Sequence, residues 1–197
     1  MTISTKVIVP PIKCQGIKTK IVPFIKSHVD MDPNGRWIEP FVGTGVVVFN
    51  IAPEHALLTD KNKYTINFYQ DIQSGKITAH SAREFLEFHG KELETGGVEY
   101  YKKMRDDFNK NGDPLYFLFL NRADFNGMIR FNKKGQFNVP FCQKPNRFSK
   151  AYITKICNQI QRIYDVMEGK DWEFRTCPWQ ETMEQARESD YVYLDPP

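Results

Sequence analysis

The residues with the clearest chemical potential lie in an apolar run that ends in Asp195, Pro196 and Pro197. The run, YVYLD at 191–195, predicts a buried strand that delivers one carboxylate to the C-terminal mouth of a sheet, where open α/β folds bind ligands. Two prolines then withhold two backbone N–H groups, so the local surface presents acceptors only. Such a surface suits a target that bears an amino group. The alternative is an ordinary acidic strand end followed by a Pro-Pro loop.

A second candidate site combines a glycine turn with two acids. A predicted strand at 36–41 carries Glu39 and leads to Gly43 and Gly45, and a second predicted strand at 55–60 ends on Asp60. The turn lacks the third glycine of the dinucleotide fingerprint, and Glu39 would repel a pyrophosphate, which argues against a dehydrogenase. These residues suit a ligand with an ammonium group and a ribose diol, such as S-adenosylmethionine. Alternatively, Asp60 is a helix cap.

The elements that must position these residues follow from the hydrophobic pattern. Short helices are predicted at 17–29 and from 46, and an amphipathic helix is predicted at 63–73. The strand at 36–41, the glycine turn, the helix from 46 and the strand at 55–60 then form one β-turn-α-β unit. Helical periodicity continues at 80–93 and 100–109, separated by a loop at 94–97, and again at 152–167. Residues 115–120 fit a helix or a strand, 132–135 fit a hairpin turn and 172–175 a short strand. The pattern predicts an α/β protein with one core and a sizeable insertion.

Charge is concentrated in the middle of the chain. Of the 197 residues, those between 102 and 155 include twelve Lys and Arg but four acids, although the whole chain carries only +3. A basic middle between acidic flanks predicts a polyanion-binding insertion, the alternative being a solvated face. No apolar run is long enough to cross a membrane and no signal-peptide core is present, so a cytoplasmic protein without membrane contact is expected. The four cysteines and four histidines lack ligand spacing, which predicts no metal.

These features together resemble the Dam-type DNA adenine-N6 methyltransferases over essentially the whole chain. EPFVGTG at 39–45 looks like the family's cofactor motif, and KCQGIK at 13–18 looks like its N-terminal motif, with Cys14 in place of the usual Trp and Ile17 in place of a usual Gly. The most specific match is LNRADFNGMIRFNKKGQFNVPF at 120–141, which in the family faces DNA and includes a β-hairpin. The resemblance implies a Rossmann-like methyltransferase sheet with a mainly helical target-recognition insertion.

The resemblance also assigns roles to residues. It implies a cofactor-binding part at 1–70, the insertion at 71–168 and a return to the catalytic sheet at 169–197. The implied catalytic residues are Asp195, Pro196 and Pro197. The implied S-adenosylmethionine-binding residues are Lys13, Gly16, Lys18, Glu39, Phe41, Gly43, Gly45, Asp60 and Trp179. The implied DNA-binding residues are Arg122, Phe125, Asn126, Met128, Arg130, Asn132, Asn138 and Pro140, with Arg130 reading a base.

The activity implied is methyl transfer to a flipped adenine in duplex DNA, with Asp195 and the carbonyl of Pro196 accepting from its amino group. Because the family's aromatic residue after Asp-Pro-Pro and its later strands are missing, we expect an incomplete sheet and low activity for 1–197. The partners expected are then duplex DNA, a second polypeptide that completes the domain and a cognate restriction endonuclease. The competing hypothesis is a catalytically incompetent DNA-binding module; an RNA- or protein-directed methyltransferase is a weaker one.

Overall fold

Four parallel strands form the sheet of this protein, whose computed structural model describes residues 6–196. The strands are β1 (Trp37–Glu39), β2 (His55–Asp60), β3 (Asp171–Thr176) and β4 (Tyr191–Val192), in the order β3-β2-β1-β4. In the register of the central strand, Trp37 pairs with Ala56 on one side and with Tyr191 on the other. The predicted α/β fold is confirmed, and all four strands point their carboxyl ends to the same edge.

Seven α-helices connect and cover these strands in the described part of the chain. They are α1 (Val22–Ser27), α2 (Val48–Ile51), α3 (Lys63–Gln73), α4 (Ala79–Asn111), α5 (Pro114–Ala123), α6 (Lys150–Met167) and α7 (Trp179–Met183). Side chains of Thr78, Asp113 and Ser149 cap the first turns of α4, α5 and α6. The ambiguous run at 115–120 is therefore helical, because Asp113 and Pro114 provide a strong helix start.

The loop predicted at 94–97 is wrong. Helix α4 runs through this region, and only Gly97 leaves the helical conformation, with φ 52° and ψ −132°. A single glycine can absorb the whole change in direction because it has no Cβ to clash at positive φ. The two periodic segments are thus one kinked helix.

The core is continuous between the sheet and the insertion. Helix α3 contacts β3 on one side and α5 on the other, and its own span crosses the expected boundary at residue 70. The strands lie within 1–70 and 169–197 and α4, α5 and α6 within 71–168, but the buried side chains of all these elements form one cluster. The division into three segments therefore stays a prediction from sequence.

The apolar run before Asp195 is less buried than predicted. Only Tyr191 and Val192 pair with β1, as the outer strand of the described sheet, and both are half-buried. Leu194 is 54% exposed. The expectation of a fully buried strand is wrong, because in the described residues this strand has a neighbour on one side only.

Candidate functional site

A cavity of about 880 Å³ lies at the carboxyl edge of the sheet. Glu39 ends β1, Asp60 ends β2 and Asp195 follows β4, so three carboxyl side chains reach the cavity from three strands. Its remaining wall comes from the loop at 14–18, the glycine turn, Ile129 and Trp179. This is the position where parallel α/β sheets bind ligands.

Most of the predicted cofactor-binding residues line this cavity together with two of the predicted catalytic residues. The lining includes Gly16, Lys18, Glu39, Phe41, Gly43, Asp60 and Trp179, and also Asp195 and Pro196. Pro197 lies outside the described residues. The topology thus brings together positions up to 180 residues apart in sequence, from 16 to 196.

Two predicted cofactor-binding residues lie elsewhere. Gly45 has φ +70°, and a Cβ there would come within 2.5 Å of the Phe49 ring, so this glycine is required by the turn itself. The Lys13 ammonium lies 5.6 Å from the centre of the Tyr152 ring, on the side of the insertion. Neither Lys13 nor Gly45 is therefore among the residues that line the cavity.

The glycine turn is held by hydrogen bonds from three directions. The N–H of Val42 donates to the Thr59 carbonyl at 3.0 Å and that of Gly45 donates to the Val42 carbonyl at 2.7 Å. From α3, the buried Tyr69 hydroxyl donates to the Thr44 carbonyl at 2.6 Å. The turn is consequently rigid where its backbone faces the cavity.

Asp60 connects the two strands at the cavity floor. One of its oxygens accepts from the N–H of Gly43 at 2.9 Å and the other accepts from the N–H of Asn62 at 2.8 Å. The helix cap of α3 is Asn62, whose side chain accepts from Tyr64, so Asp60 is not that cap. Each carboxylate oxygen has a further lone pair, and Asp60 can still accept from ligand hydroxyls.

Glu39 is the most deeply buried acid of the cavity, at 3% exposure. Burial raises the pKa of its carboxyl to about 8, and the neighbouring charges of Asp195 and Asp60 act in the same direction. A hydrogen bond from the Trp37 indole N–H, 2.8 Å long, acts against this rise. A cationic ligand group would satisfy the ionised carboxyl.

Asp195 is paired with the cation of the N-terminal loop. Its Oδ2 lies 2.8 Å from the Lys18 ammonium, and both side chains are about one third exposed at 34% and 35%. The other carboxylate oxygen has no partner within the described protein and can accept a ligand hydrogen. Sequence motif residues from opposite ends of the chain therefore meet directly.

Apolar side chains form the opposite wall. The Phe41 and Trp179 rings lie 6.5 Å apart between centroids, at 36° to each other. Helix α7, which carries Trp179, is attached to β2 by a buried hydrogen bond of 2.7 Å between Thr59 and Thr182. This wall offers stacking surface to a planar ring.

Sequence reasoning missed Trp37 and did not assign Cys14, Asn62 or Ile129. Cys14 and Ile129 line the cavity, whereas Trp37 lies behind Glu39. Trp37 could have been found from its spacing, since residues i and i+2 of a strand point to the same face. Ile129 could not, because it reaches the cavity from the insertion.

The segment 121–141 folds as a chain reversal with the predicted turn at its tip. The N–H of Gly135 donates to the Asn132 carbonyl at 2.9 Å, and Phe131 and Phe137 form an isolated antiparallel bridge. Asp124 and Phe141 form another at its base. The hairpin therefore has bridging pairs but no continuous strands in the described structure.

Predicted DNA-binding residues lie on the accessible side of this reversal. Phe125 is 51% exposed, and Asn126 beside it is exposed with φ 62°. The guanidinium of Arg130 donates to Oδ1 of Asn138 at 2.8 Å and to its carbonyl at 2.9 Å. Asn132 and Pro140 are exposed, while Met128 and Asn138 are half-buried.

Arg122 differs from this set, and the structure does not support its contact with DNA. It is 2% exposed, within α5, and its guanidinium donates to Tyr152 at 3.3 Å and to Gln159 at 2.6 Å. Burial lowers its pKa, and the Tyr152 hydroxyl opposes that effect. Because α5 continues to Ala123, Arg122 lies on a helix, and its hydrogen bonds connect α5 with α6 inside the insertion.

A second cleft, of about 420 Å³, separates the turn from α4. It is lined by polar side chains from both elements: Arg105, Asp106, Asn109 and Lys110 on one side, and Asn132, Gln136 and Asn138 on the other. Asn109 also joins the elements, because its side chain accepts from the N–H of Phe137 at 2.7 Å. The basic and amide groups of this cleft continue the exposed face of 121–141.

Two classes of feature are not found between residues 6 and 196. No group of three His, Cys, Asp or Glu side chains could hold a metal ion there. In the same residues no helix is long and apolar enough to cross a membrane.

Comparison with known proteins gives a family match over nearly the whole chain. The family model described as "D12 class N6 adenine-specific DNA methyltransferase" matches residues 15–197. The chain is 33% identical over 193 residues to "DNA adenine methylase" of Escherichia coli (strain K12) and 33% identical to that of Vibrio cholerae. It is 28% identical to "Type II methyltransferase M1.LlaDCHI" of Lactococcus lactis subsp. cremoris.

These alignments cover more of this chain than of the relatives. They include 94% of this chain and 63% of the Escherichia coli protein, with 94% and 64% for Vibrio cholerae and 95% and 65% for Lactococcus lactis. The chain therefore spans slightly less than two thirds of the length of these curated relatives.

Proposed function

Since the chain belongs to the D12 class of N6 adenine-specific DNA methyltransferases, we propose that its cavity holds S-adenosylmethionine and that residues 121–141 bind the duplex that carries the target adenine. The observation that carries the proposal is the convergence of Glu39, Asp60 and Asp195 at one edge of the sheet. All three are placed by the ends of strands, where small changes of position are restricted by the sheet.

The chemistry of the cavity fits this cofactor. Its acids can accept from an ammonium group and from ribose hydroxyls, while Phe41 and Trp179 offer a surface for an adenine ring. Of its two lysines, Lys18 is already paired with Asp195 and Lys61 is exposed, so a phosphate group has no dedicated partner. The volume of about 880 Å³ is within the usual range for small-molecule sites.

Asp195 and Pro196 act on the amino group of the target base. A base inside a duplex cannot reach the cavity, so it must leave the stack at a cost of a few kcal/mol. The free oxygen of Asp195 and the carbonyl of Pro196 then accept the two amino hydrogens, which turns the nitrogen lone pair toward the methyl donor. S-adenosylmethionine, when bound, supplies a methyl group on a sulfonium that is its own leaving group. The protein's contribution is alignment, proximity and acceptance of developing positive charge.

DNA recognition is assigned to the exposed face of the insertion. Arg130 can donate two hydrogen bonds to a guanine edge, and Asn126 can pair with an adenine edge or a backbone group. The amide and basic groups around the second cleft suit phosphates, which carry affinity rather than sequence preference. A restriction partner and a cytoplasmic location stay predictions from sequence.

The first experiment measures transfer of a labelled methyl group from S-adenosylmethionine to duplex oligonucleotides, followed by digestion to nucleosides. We expect the label in N6-methyladenine. Label in cytosine, or transfer to RNA or protein in preference to DNA, would contradict the proposal.

Cofactor binding separates this proposal from a DNA-binding module without catalysis. We expect S-adenosylmethionine and its demethylated product to raise the melting temperature of the protein, because both would bind the folded state only. A module that binds duplex DNA but shows no such stabilisation would favour the competing hypothesis.

A further inference from the structure

Trp37 is fully buried in β1 and connects two parts of the cavity. Its indole N–H donates a hydrogen bond of 2.8 Å to Oε2 of Glu39, two residues ahead on the same strand face. Tryptophan has a single donor, and here that donor is used on a carboxyl that faces the cavity. A phenylalanine would keep an aromatic ring in the core at this position without that bond.

The ring of Trp37 also contacts the neighbouring strand. It stacks on Tyr191, with centroids 5.3 Å apart and planes within 7°, and on Tyr193 at 5.6 Å and 18°. Tyr191 is the register partner of Trp37 in the parallel β1–β4 pair, and Tyr193 is two residues before Asp195. The same side chain therefore holds Glu39 and the segment that delivers Asp195.

The charged and titratable groups around Glu39 come from four parts of the fold. Asp60 at the end of β2 and Asp195 after β4 disfavour its ionised form, while the backbone N–H of Val48 favours it. Tyr69 on α3 and Tyr193 are also near, and burial raises the pKa of both, that of Tyr193 to about 12. Neither phenol therefore titrates between pH 6 and pH 9.

We propose that Trp37 is a positioning residue that holds Glu39 ready for the amino group of the cofactor and aligns it with Asp195, the acceptor for the target base. The inference rests on the proposed function and adds to it a residue that does not touch the ligand. Its indole N–H supports the negative charge that a bound ammonium group requires, and its ring fixes the distance between the two carboxyl-bearing strands.

A purely structural tryptophan would behave differently with pH. Because the Glu39 carboxyl has a pKa of about 8, only part of it is ionised at neutral pH. Removal of the indole N–H raises that pKa further, so loss of affinity for the cofactor is largest below pH 8 and shrinks as the carboxyl ionises. Loss of packing alone reduces affinity by the same factor at every pH.

The test compares dissociation constants of S-adenosylmethionine for the wild-type protein and Trp37→Phe between pH 6 and pH 9. Phenylalanine keeps a ring and removes the donor. We expect affinity to fall about tenfold at pH 6.5 and about twofold at pH 9, as for the loss of one hydrogen bond to a carboxyl. Titration of the ligand's own amino group affects both proteins equally and cancels in the ratio. A ratio that does not change with pH would overturn the inference.

Two further variants remove packing as an explanation. Replacement of Trp37 by benzothienylalanine, in which sulfur takes the place of the indole N–H, keeps the shape and should give the same pH-dependent loss. In a Glu39→Gln background, Trp37→Phe should lose its pH dependence, and an undiminished pH-dependent effect there would contradict the role of Glu39.

The wild-type titration distinguishes failure of this inference from failure of the proposed function. If the wild-type protein binds no S-adenosylmethionine at any pH, the proposed function and the inference both fail. If it binds with an affinity that responds to Glu39→Gln while Trp37→Phe has a flat ratio, only the positioning role of Trp37 is wrong.

Discussion

The cavity edge of the sheet and the segment 121–141 position their polar groups in opposite ways. At the cavity, Glu39 and Asp60 end strands whose backbones are paired in parallel, and Asp195 follows a third such strand by three residues. In 121–141 the described backbone forms isolated bridges and a few cross-segment hydrogen bonds, such as Phe125 N–H to the Pro140 carbonyl at 3.0 Å, and side chains supply further bonds. The cavity is lined by three acids, whereas the segment belongs to the basic middle of the chain and presents many of its side chains to solvent.

Asparagine side chains supplement the backbone hydrogen bonds of the segment 121–141. Oδ1 of Asn132 accepts from the N–H groups of Lys134 and Gln136 at 2.9 and 3.0 Å. Asn121 accepts from the N–H of Lys13 at 2.7 Å, and Asn109 accepts from Phe137. A segment supported in this way can exchange its exposed side chains without loss of shape, while the carboxyls of the cavity cannot move without the sheet.

Asp195→Ala is expected to show the largest difference between the two regions. Removal of an acceptor aligned with the target amino group should reduce methyl transfer by about 10³-fold. On the proposed function, side chains of 121–141 hold the duplex, so affinity for duplex DNA should change little. Single-turnover transfer and gel-shift titrations on the same duplex measure the two effects. A parallel loss of DNA affinity would show that Asp195 acts on binding rather than on the reaction.

Arg122→Ala should destabilise the protein more than replacement of any exposed side chain in the segment 121–141. The Arg122 side chain is 2% exposed and its guanidinium is bonded to Tyr152 and Gln159, so its removal leaves a cavity in the core, breaks two hydrogen bonds and should cost about 3 kcal/mol. Urea denaturation measures the change in the free energy of unfolding. Arg130→Ala is the matched control, since its exposed guanidinium should contribute less than about 0.5 kcal/mol. Equal effects of the two variants would contradict the structural role of Arg122.

The two regions also differ in how much the sequence predicted. The bounds of β2 and α3 were predicted to the residue, because a short apolar run that ends on an acid marks β2 and a 3.6-residue periodicity marks α3. The cavity acids were predicted from their places after strands, and the topology brought them together. The sequence did not reveal that a side chain at position 45 would collide with the Phe49 ring, because that contact depends on how α2 packs against the turn.

In the segment 121–141, the sequence pattern could not distinguish a buried arginine from an exposed one. Arg122 and Arg130 occupy the same motif, yet α5 extends to Ala123 and turns Arg122 into the core, while Arg130 lies on the reversal after it. The half-buried run before Asp195 likewise depends on which strands lie beside it. Tertiary neighbours, rather than local propensity, decide whether a chain bends or a strand is covered.

Arg130→Ala tests whether an exposed side chain of the segment 121–141 reads a base. If Arg130 reads a base, its loss should cost about 1–3 kcal/mol of discrimination at one base pair and leave the melting temperature unchanged. Transfer rates on a panel of duplexes with single base-pair changes measure this. Asn138→Ala should have a smaller effect in the same direction, because Asn138 restrains the Arg130 guanidinium at 2.8 Å. Unchanged specificity across the panel would show that Arg130 does not read a base.

Asp124→Asn tests a buried acid of the segment 121–141 that resembles Glu39 of the cavity in its burial and raised pKa. Asp124 is 3% exposed, neither carboxyl oxygen has a hydrogen-bond partner in the described protein, and burial raises its pKa to about 8. Between its ordinary value near pH 4 and about pH 8, the folded state therefore keeps a proton that the unfolded state releases, so stability falls as pH rises through this interval. Asparagine has no proton to lose, and we expect a stability gain of about 1–2 kcal/mol at pH 8 that disappears near pH 4.

Urea denaturation at several pH values measures the gain. A variant whose stability is shifted equally at every pH would show that Asp124 is not protonated in the folded protein. Because the buried carboxyl of Glu39 contributes a pH dependence of the same sign, Asp124→Asn should reduce the slope and leave the part that belongs to the cavity.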